Sequence, residues 1–237
     1  MVKYDYFILM ASSRTGHNYV RSNVLSWLGT SWDKQDIIYQ NWENERPLIY
    51  EAKLKRYNMV NNDKILVAVL TRDYLNWLAS YIIMISETFY NNPQWDTRKY
   101  PPIQDTILQT VDAWEHITKE YFGITNYIPS SIKILYDDFF KDRMYRRNIC
   151  DKMGGEYNEN YLNVITQAGG GSSFDKFNYQ KNAQQMNPYN RYLEIIDTEY
   201  KDIYIEILKK KYNVLKLYLK KFDVNDEQKN FIRNYVR

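Results

Sequence analysis

Lys64-Ile65-Leu66-Val67-Ala68-Val69-Leu70-Thr71-Arg72-Asp73-Tyr74-Leu75-Asn76-Trp77-Leu78-Ala79-Ser80 carries the clearest structural signal in the chain. After Lys64 the first residues are uniformly apolar and rich in β-branched side chains. That is the pattern of a strand buried on both faces of a parallel sheet. Past Arg72-Asp73 the period changes: Leu75, Leu78, Ala79, Ile82 and Ile85 recur at helical spacing and predict a helix from about Tyr74 to Phe89. Strand, short polar turn, helix is the repeating unit of α/β folds.

The same order recurs on either side. Tyr4 to Met10 reads as a strand, Ser12 to Tyr19 as a small polar loop, and Val20, Val24, Leu25 and Leu28 as one face of a helix. Asp36-Ile37-Ile38-Tyr39 and Leu48-Ile49-Tyr50 are weaker strand candidates. Downstream, Asn91 to Pro102 is a proline-bearing loop, and Ile103, Ile107, Trp114, Ile117 and Tyr121 mark an amphipathic helix. Ile132 to Tyr136 predicts another strand, followed by a helix closing near Gly154-Gly155. Asn187-Pro188 opens a long helix carrying Leu193, Ile196, Tyr200, Ile203 and Ile207. Alternating strands and helices imply a single α/β domain over residues 1–222, with a central, mostly parallel sheet flanked by helices. Residues 223–237 read as a charged, peripheral helix or tail.

Composition narrows the function classes. The 32 Lys and Arg against 29 Asp and Glu leave a net charge of +3, too little to argue for nucleic acid or an anionic membrane as partner. The chain carries one cysteine, Cys150, so it has no intrachain disulfide and no cysteine cluster for a metal, and a reducing, cytoplasmic setting is expected. The apolar run at the start is too short for a membrane span and lacks a cleavage pattern.

Two stretches point to anion binding. Ser12-Ser13-Arg14-Thr15-Gly16-His17-Asn18 leaves a strand and opens a helix, where backbone N–H groups and the helix dipole favour an anion. Arg14 adds a full charge, and Gly16 permits close approach. The stretch lacks the Gly-Lys-Ser/Thr ending of nucleotide-hydrolysing P-loops, which argues against ATP hydrolysis with magnesium. An ordinary polar turn is the bland alternative. The second stretch is Arg72, at a strand carboxyl end, with Ser80 eight residues on. Arg offers a planar fork of donors suited to phosphate, and strand carboxyl ends are where open α/β sheets bind ligands. Two separated anion sites suit a nucleoside phosphorylated at both ends.

On these residues the chain resembles the family of sulfotransferases that use 3′-phosphoadenosine 5′-phosphosulfate (PAPS). Ser13 to Tyr19 is similar to the family's 5′-phosphosulfate loop, and Arg72 with Ser80 to its 3′-phosphate pair. Trp114-Glu115-His116-Ile117 and Ile134-Leu135-Tyr136-Asp137-Asp138-Phe139 resemble two further family stretches, in the family's order. The resemblance implies a P-loop nucleotide-kinase-like sulfotransferase fold, PAPS as cofactor, adenosine 3′,5′-bisphosphate as product and no metal. It implies that Ser13, Arg14, Thr15, Gly16, His17 and Asn18 cradle the phosphosulfate, with Arg14 in the place of the family's catalytic Lys. Tyr19 then stacks on adenine, Arg72 and Ser80 hold the 3′-phosphate, and Gly170, Gly171 and Ser172 belong to a loop closing over it. Ser13 stands where the family has Pro, and Tyr74 where Pro often follows Arg-Asp. The family's usual base is a His about twenty residues before the 3′-phosphate Arg; here that stretch holds Glu51, the candidate base. His17 reads as a donor to the phosphosulfate. The acceptor is expected to be a small molecule or glycan with a hydroxyl or amine. The alternatives are a P-loop kinase and a nucleotide-binding relative that has lost catalysis.

Overall fold

Tyr6–Ala11 (β1), Ile38–Glu43 (β2), Ile65–Thr71 (β3) and Ile132–Leu135 (β4) form one sheet in the order β2-β1-β3-β4, and every neighbouring pair is parallel. The computed structural model describes residues 4–30, 38–44, 49, 52–53, 55, 62–87, 102–165, 175, 178–179 and 181–236. Ala11 lies opposite Glu43 and Leu70, and Thr71 opposite Leu135, so all four strands end at one edge. After β2 the chain crosses β1 to form β3, so the order reverses between β1 and β3. Such a reversal opens a crevice at the carboxyl ends of those two strands.

The strands alternate between two cores, as a pleat of period two requires. Phe7, Leu9 and Ala11 of β1 and Leu66, Ala68 and Leu70 of β3 face one side. There they pack with His17–Trp27 (α1), Tyr136–Lys141 (α4) and Arg143–Lys152 (α5). Ile8, Met10 and Val69 face the other side and meet Ile117 of Ile103–Tyr121 (α3). Tyr74–Ile85 (α2) is buried along almost its whole length. Its core is shared with Arg191–Glu194 (α6), Lys201–Lys210 (α7), Tyr212–Lys221 (α8) and Asp226–Tyr235 (α9). The last of these, within the stretch read as a tail, has an Asn225–Gln228 capping box and buries Phe231 and Ile232 in that core. Among the described residues no helix is long and apolar enough to cross a membrane.

Three expectations change. Ile49 is helical, as are Ala52 and Lys53, so Ile49 is not part of a strand; Leu48 and Tyr50 of the strand read at 48–50 lie outside the described residues. Tyr136 is not the end of a strand but the first residue of α4; the ladder stops at Leu135, whose N–H donates to the Tyr145 hydroxyl instead (2.9 Å). The long helix after Asn187-Pro188 is broken. Following α6 and a 3-10 turn at Ile195–Asp197, Thr198 is extended, donates its hydroxyl to Ile195 O (2.8 Å) and accepts from Tyr200 N (3.2 Å). A threonine hydroxyl that bonds local backbone competes with helix continuation.

Candidate functional site at the carboxyl edge of the sheet

Ser12 to Gly16 turns the chain from β1 into α1 within five residues. Ser12 O accepts both Thr15 N (3.2 Å) and the Thr15 hydroxyl (2.7 Å), which closes a tight turn. Arg14 and Gly16 take positive φ angles of 64° and 83°. Gly16 is the N-cap of α1, with no side-chain cap. The Tyr136 ring lies against it: a Cβ on Gly16 would stand 2.0 Å from Tyr136 Cε2. Glycine is required there by backbone angle and by contact together.

The loop is anchored from three sides. Asn44, after β2, accepts from Ser13 N (2.9 Å) and donates to Ser13 Oγ (2.6 Å). Trp77 of α2 donates its indole N–H to Ser13 O (2.6 Å). Arg72, at the end of β3, donates Nη1 to Arg14 O (3.2 Å) and Nη2 to Pro188 O (2.8 Å). The carbonyl of Arg72 in turn accepts from Trp114 Nε1 (3.2 Å), and the rings of Trp77 and Trp114 stack with centroids 5.7 Å apart. The two stretches singled out in the sequence therefore touch at the reversal between β1 and β3.

The Arg72 guanidinium is 5.0 Å from the centre of the Tyr136 ring, a cation–π contact, and only 5% of the residue is exposed. Its Nε stands 4.0 Å from Asp137 Oδ1, and both atoms are buried without a hydrogen-bond partner. Asp137 Oδ2 accepts from Asp73 N (2.7 Å). The Asp73 carboxylate is a junction: Oδ1 accepts from Asn76 N (2.9 Å) and caps α2, while Oδ2 accepts from Tyr218 of α8 and Gln228 of α9.

Burial, with the Asp73 charge close by, pushes the Asp137 carboxyl up to about 7, against the opposing pull of Arg72. A carboxyl raised above its unfolded value holds its proton longer in the native state. Stability from this group is therefore full below about pH 4 and falls as pH rises toward 7, by an amount on the order of a few kcal/mol. Asp137→Asn removes that term while keeping an acceptor for Asp73 N. Its melting temperature relative to the wild type should climb between pH 4.5 and 7 and level off above. A pH-independent difference would show that Asp137 titrates normally.

The loop residues divide by direction. Arg14, Gly16, His17 and Asn18 are partly exposed at its outer side. Thr15 is fully buried with its hydroxyl turned to Ser12 O, and Ser13 is held by Asn44 and Trp77. Tyr19 is a correction. Its ring is packed edge-on to Tyr136 and Phe139 and beside Phe140, and its hydroxyl donates to Leu162 O (3.2 Å) and accepts from Gln184 (2.6 Å). Nothing of that ring is left for adenine, because a third helical residue facing the sheet is drawn into the α4–α5 core. Ser80 is buried one turn beyond Asn76 on α2. Glu51, Gly170, Gly171 and Ser172 lie outside the described residues. His116 is half-buried on α3, and Cys150 is buried in the core.

Comparisons with protein-family models, curated proteins and solved structures return no match.

Residues that sequence reasoning missed are those acting from a distance in the chain. Asn44, Trp77, Asp137 and Pro188 contact the loop or Arg72 from four separate elements. Arg191 was also missed: it is 4% exposed, pairs with Asp175 and bonds Glu194 (2.6 Å). A charged residue nine-tenths buried signals a fixed role, yet its burial was not readable from a helical pattern. Among the described residues no group of His, Cys, Asp and Glu is placed to hold a metal ion.

Proposed function

We propose that this chain is a PAPS-dependent sulfotransferase of the P-loop nucleotide-kinase-like type, moving a sulfuryl group to a hydroxyl or amine acceptor. The observation that carries this reading is the contact of Arg72 with Arg14 O at the β1/β3 reversal. It brings the two anion-binding stretches within reach of one nucleotide.

The residues present fit such a ligand at its 5′ end. At the 5′ end, α1 starts behind Arg14 and Gly16 without a side-chain cap, so its first turn favours an anion. At the 3′ end, Arg72 donates both Nη atoms to backbone carbonyls and turns its buried Nε toward Asp137 at 4.0 Å, so a 3′-phosphate there has to displace those partners. The Tyr19 ring supplies no adenine platform, so base recognition falls to other residues.

On this reading the bound PAPS supplies an activated sulfuryl group with a good leaving phosphate. Arg14, in the family's Lys position, neutralises charge on the transferring group, and His17 and Asn18 donate to its oxygens. Glu51 takes the acceptor proton, a contribution of typically ~10²–10⁴-fold. By the resemblance, Gly170, Gly171 and Ser172 would hold the 3′-phosphate. In-line geometry then does the rest, since such transfers depend mainly on positioning and charge.

Thermal unfolding with added nucleotide tests it. Adenosine 3′,5′-bisphosphate should raise the melting temperature in a concentration-dependent way and ATP with magnesium should not, because only the former carries phosphates on both ribose ends. In radiolabel transfer from PAPS, Glu51→Gln should keep the nucleotide's stabilising effect and lose at least ~10²-fold in turnover. Stabilisation by ATP with magnesium alone would replace this reading with the kinase. Stabilisation by the bisphosphate with no transfer to any acceptor would leave a binding protein without catalysis.

A further inference from the structure

Gln228 and Tyr218 each carry a polar group that their own helices do not need. Gln228 is the third residue of α9 and the far half of its capping box. Its N–H donates to Asn225 Oδ1 (2.8 Å), and its amide oxygen accepts from Asn225 N (3.1 Å). Glutamate serves such a box equally well. What glutamate lacks is the amide nitrogen, and here Nε2 donates to Asp73 Oδ2 (2.9 Å). Tyr218 is fully buried in α8, where phenylalanine would fill the same space, and its hydroxyl donates to the same oxygen. Asn76 engages Oδ1 through its backbone N–H (2.9 Å) and its side-chain amide (2.8 Å). Donors from α2, α8 and α9 thus converge on one carboxylate.

A carboxylate held in this way fixes what adjoins it. Asp73 caps α2, and the residues one before it and four after it grip the loop between β1 and α1. Arg72 donates to Arg14 O (3.2 Å). Trp77, whose N–H bonds Asp73 O (2.9 Å), donates its indole N–H to Ser13 O (2.6 Å). Two consecutive carbonyls of the loop are thereby engaged. Such a loop meets an anion with N–H groups, and a carbonyl oxygen swung toward the anion would repel it. Keeping both carbonyls engaged therefore depends on where α2 begins.

We propose that Gln228 and Tyr218 are positioning residues for the anion-binding loop: they fix Asp73, Asp73 fixes the start of α2, and Arg72 and Trp77 then hold the loop's carbonyls. The inference rests on the nucleotide reading of that loop, and it gives α8 and α9 a part in the site.

Calorimetric titration of the full chain with adenosine 3′,5′-bisphosphate tests it, at a temperature where melting curves show every variant folded. Gln228→Glu keeps the capping box and the volume but sets a second carboxyl against Asp73. At pH 8 it should bind at least ~5-fold more weakly than the wild type, and Tyr218→Phe at least ~2-fold more weakly. Repeating the titration at pH 5.5 separates positioning from general damage. Two carboxyls so close cannot both ionise, so the pair takes up a proton and regains a donor. The ratio of Gln228→Glu to wild-type Kd should then close to within ~2-fold, while Gln228→Leu, with nothing to protonate, should stay weak. Among the groups around Asp73, burial pushes the Tyr192, Tyr204 and Tyr218 hydroxyls up, well above this range, and Asp137 changes charge near about 7. Asp138, Lys141 and Asp223 border the same recess. The ratio to the wild type at each pH divides out what these shared groups do. A wild type that binds nothing sinks the nucleotide reading and this inference together. A wild type that binds, with either Gln228→Glu or Tyr218→Phe equal to it at pH 8, or with Gln228→Glu equally weakened at both pH values, overturns this inference alone.

Discussion

An Arg72→Met variant should melt roughly 6–20 °C below the wild type, taking ~3–5 kcal/mol for a broken buried charge network and ~2–4 °C per kcal/mol at this chain length. Methionine matches much of the apolar stem and removes the fork. Arg14 O and Pro188 O then lose their buried donor, and the Tyr136 ring loses the cation above it. Asp137 also loses the one positive charge that opposes its burial and the Asp73 charge. The damage should therefore be greatest above pH 7, where Asp137 is ionised, and smaller at pH 5. Arg72→Lys should recover little, because a single ammonium on a flexible stem cannot span two carbonyls in fixed directions. Melting curves of the three proteins at both pH values check this. A methionine variant within about 2 °C of the wild type at pH 8 would mean that Arg72 holds nothing together. On the sulfotransferase reading, Arg72→Met should also abolish stabilisation by adenosine 3′,5′-bisphosphate.

Gly16→Ala should cost about as much by a different physical route. Alanine at a φ of 83° is strained by about 1–2 kcal/mol. Its methyl would also stand 2.0 Å from Tyr136 Cε2, a contact that must be relieved by movement. That ring has little room to move, being 5% exposed and confined by Tyr19, Phe140 and the Arg72 guanidinium. Overpacking of this kind costs typically about 1–3 kcal/mol more. The sum predicts a melting temperature lower by roughly 4–20 °C. Gly16→Ala combined with Tyr136→Leu separates the two causes. The smaller side chain should recover the packing part and leave the backbone strain, so the double variant should be less destabilised than the two single effects added. Strict additivity would show that ring and glycine do not interact.

The strands were legible wherever burial is two-sided. The apolar runs at residues 7–11 and 65–70 announced a covered parallel sheet, because both faces of such a strand meet core. The helix at Ile103–Tyr121 was equally plain from its apolar stripe. The break at Thr198 was not, since its cause is one hydroxyl choosing local backbone partners over the helix. The strand reading failed at Ile49 for a related reason: a short run of apolar or aromatic residues fits a helix as well as a strand.

What the chain's own order of residues determined was the alternation of elements and, through it, an α/β sheet with Arg14 and Arg72 at strand ends. Those follow from periodicity and from chemistry that depends only on near neighbours. Tertiary structure alone decided which loop side chains face outward and which are consumed inward. Ser13 and Tyr19 look like a donor and a ring platform when read in sequence, yet each is taken up by distant partners, Asn44 and Trp77 for Ser13 and Leu162 for Tyr19. The surroundings of Asp137 were hidden in the same way. Arg72 and Asp73 follow β3, and the Tyr218 and Gln228 that hold Asp73 come from α8 and α9, far apart in the chain. A carboxyl's proton affinity is set by the dielectric and charges that folding gathers around it, not by the residues beside it in sequence.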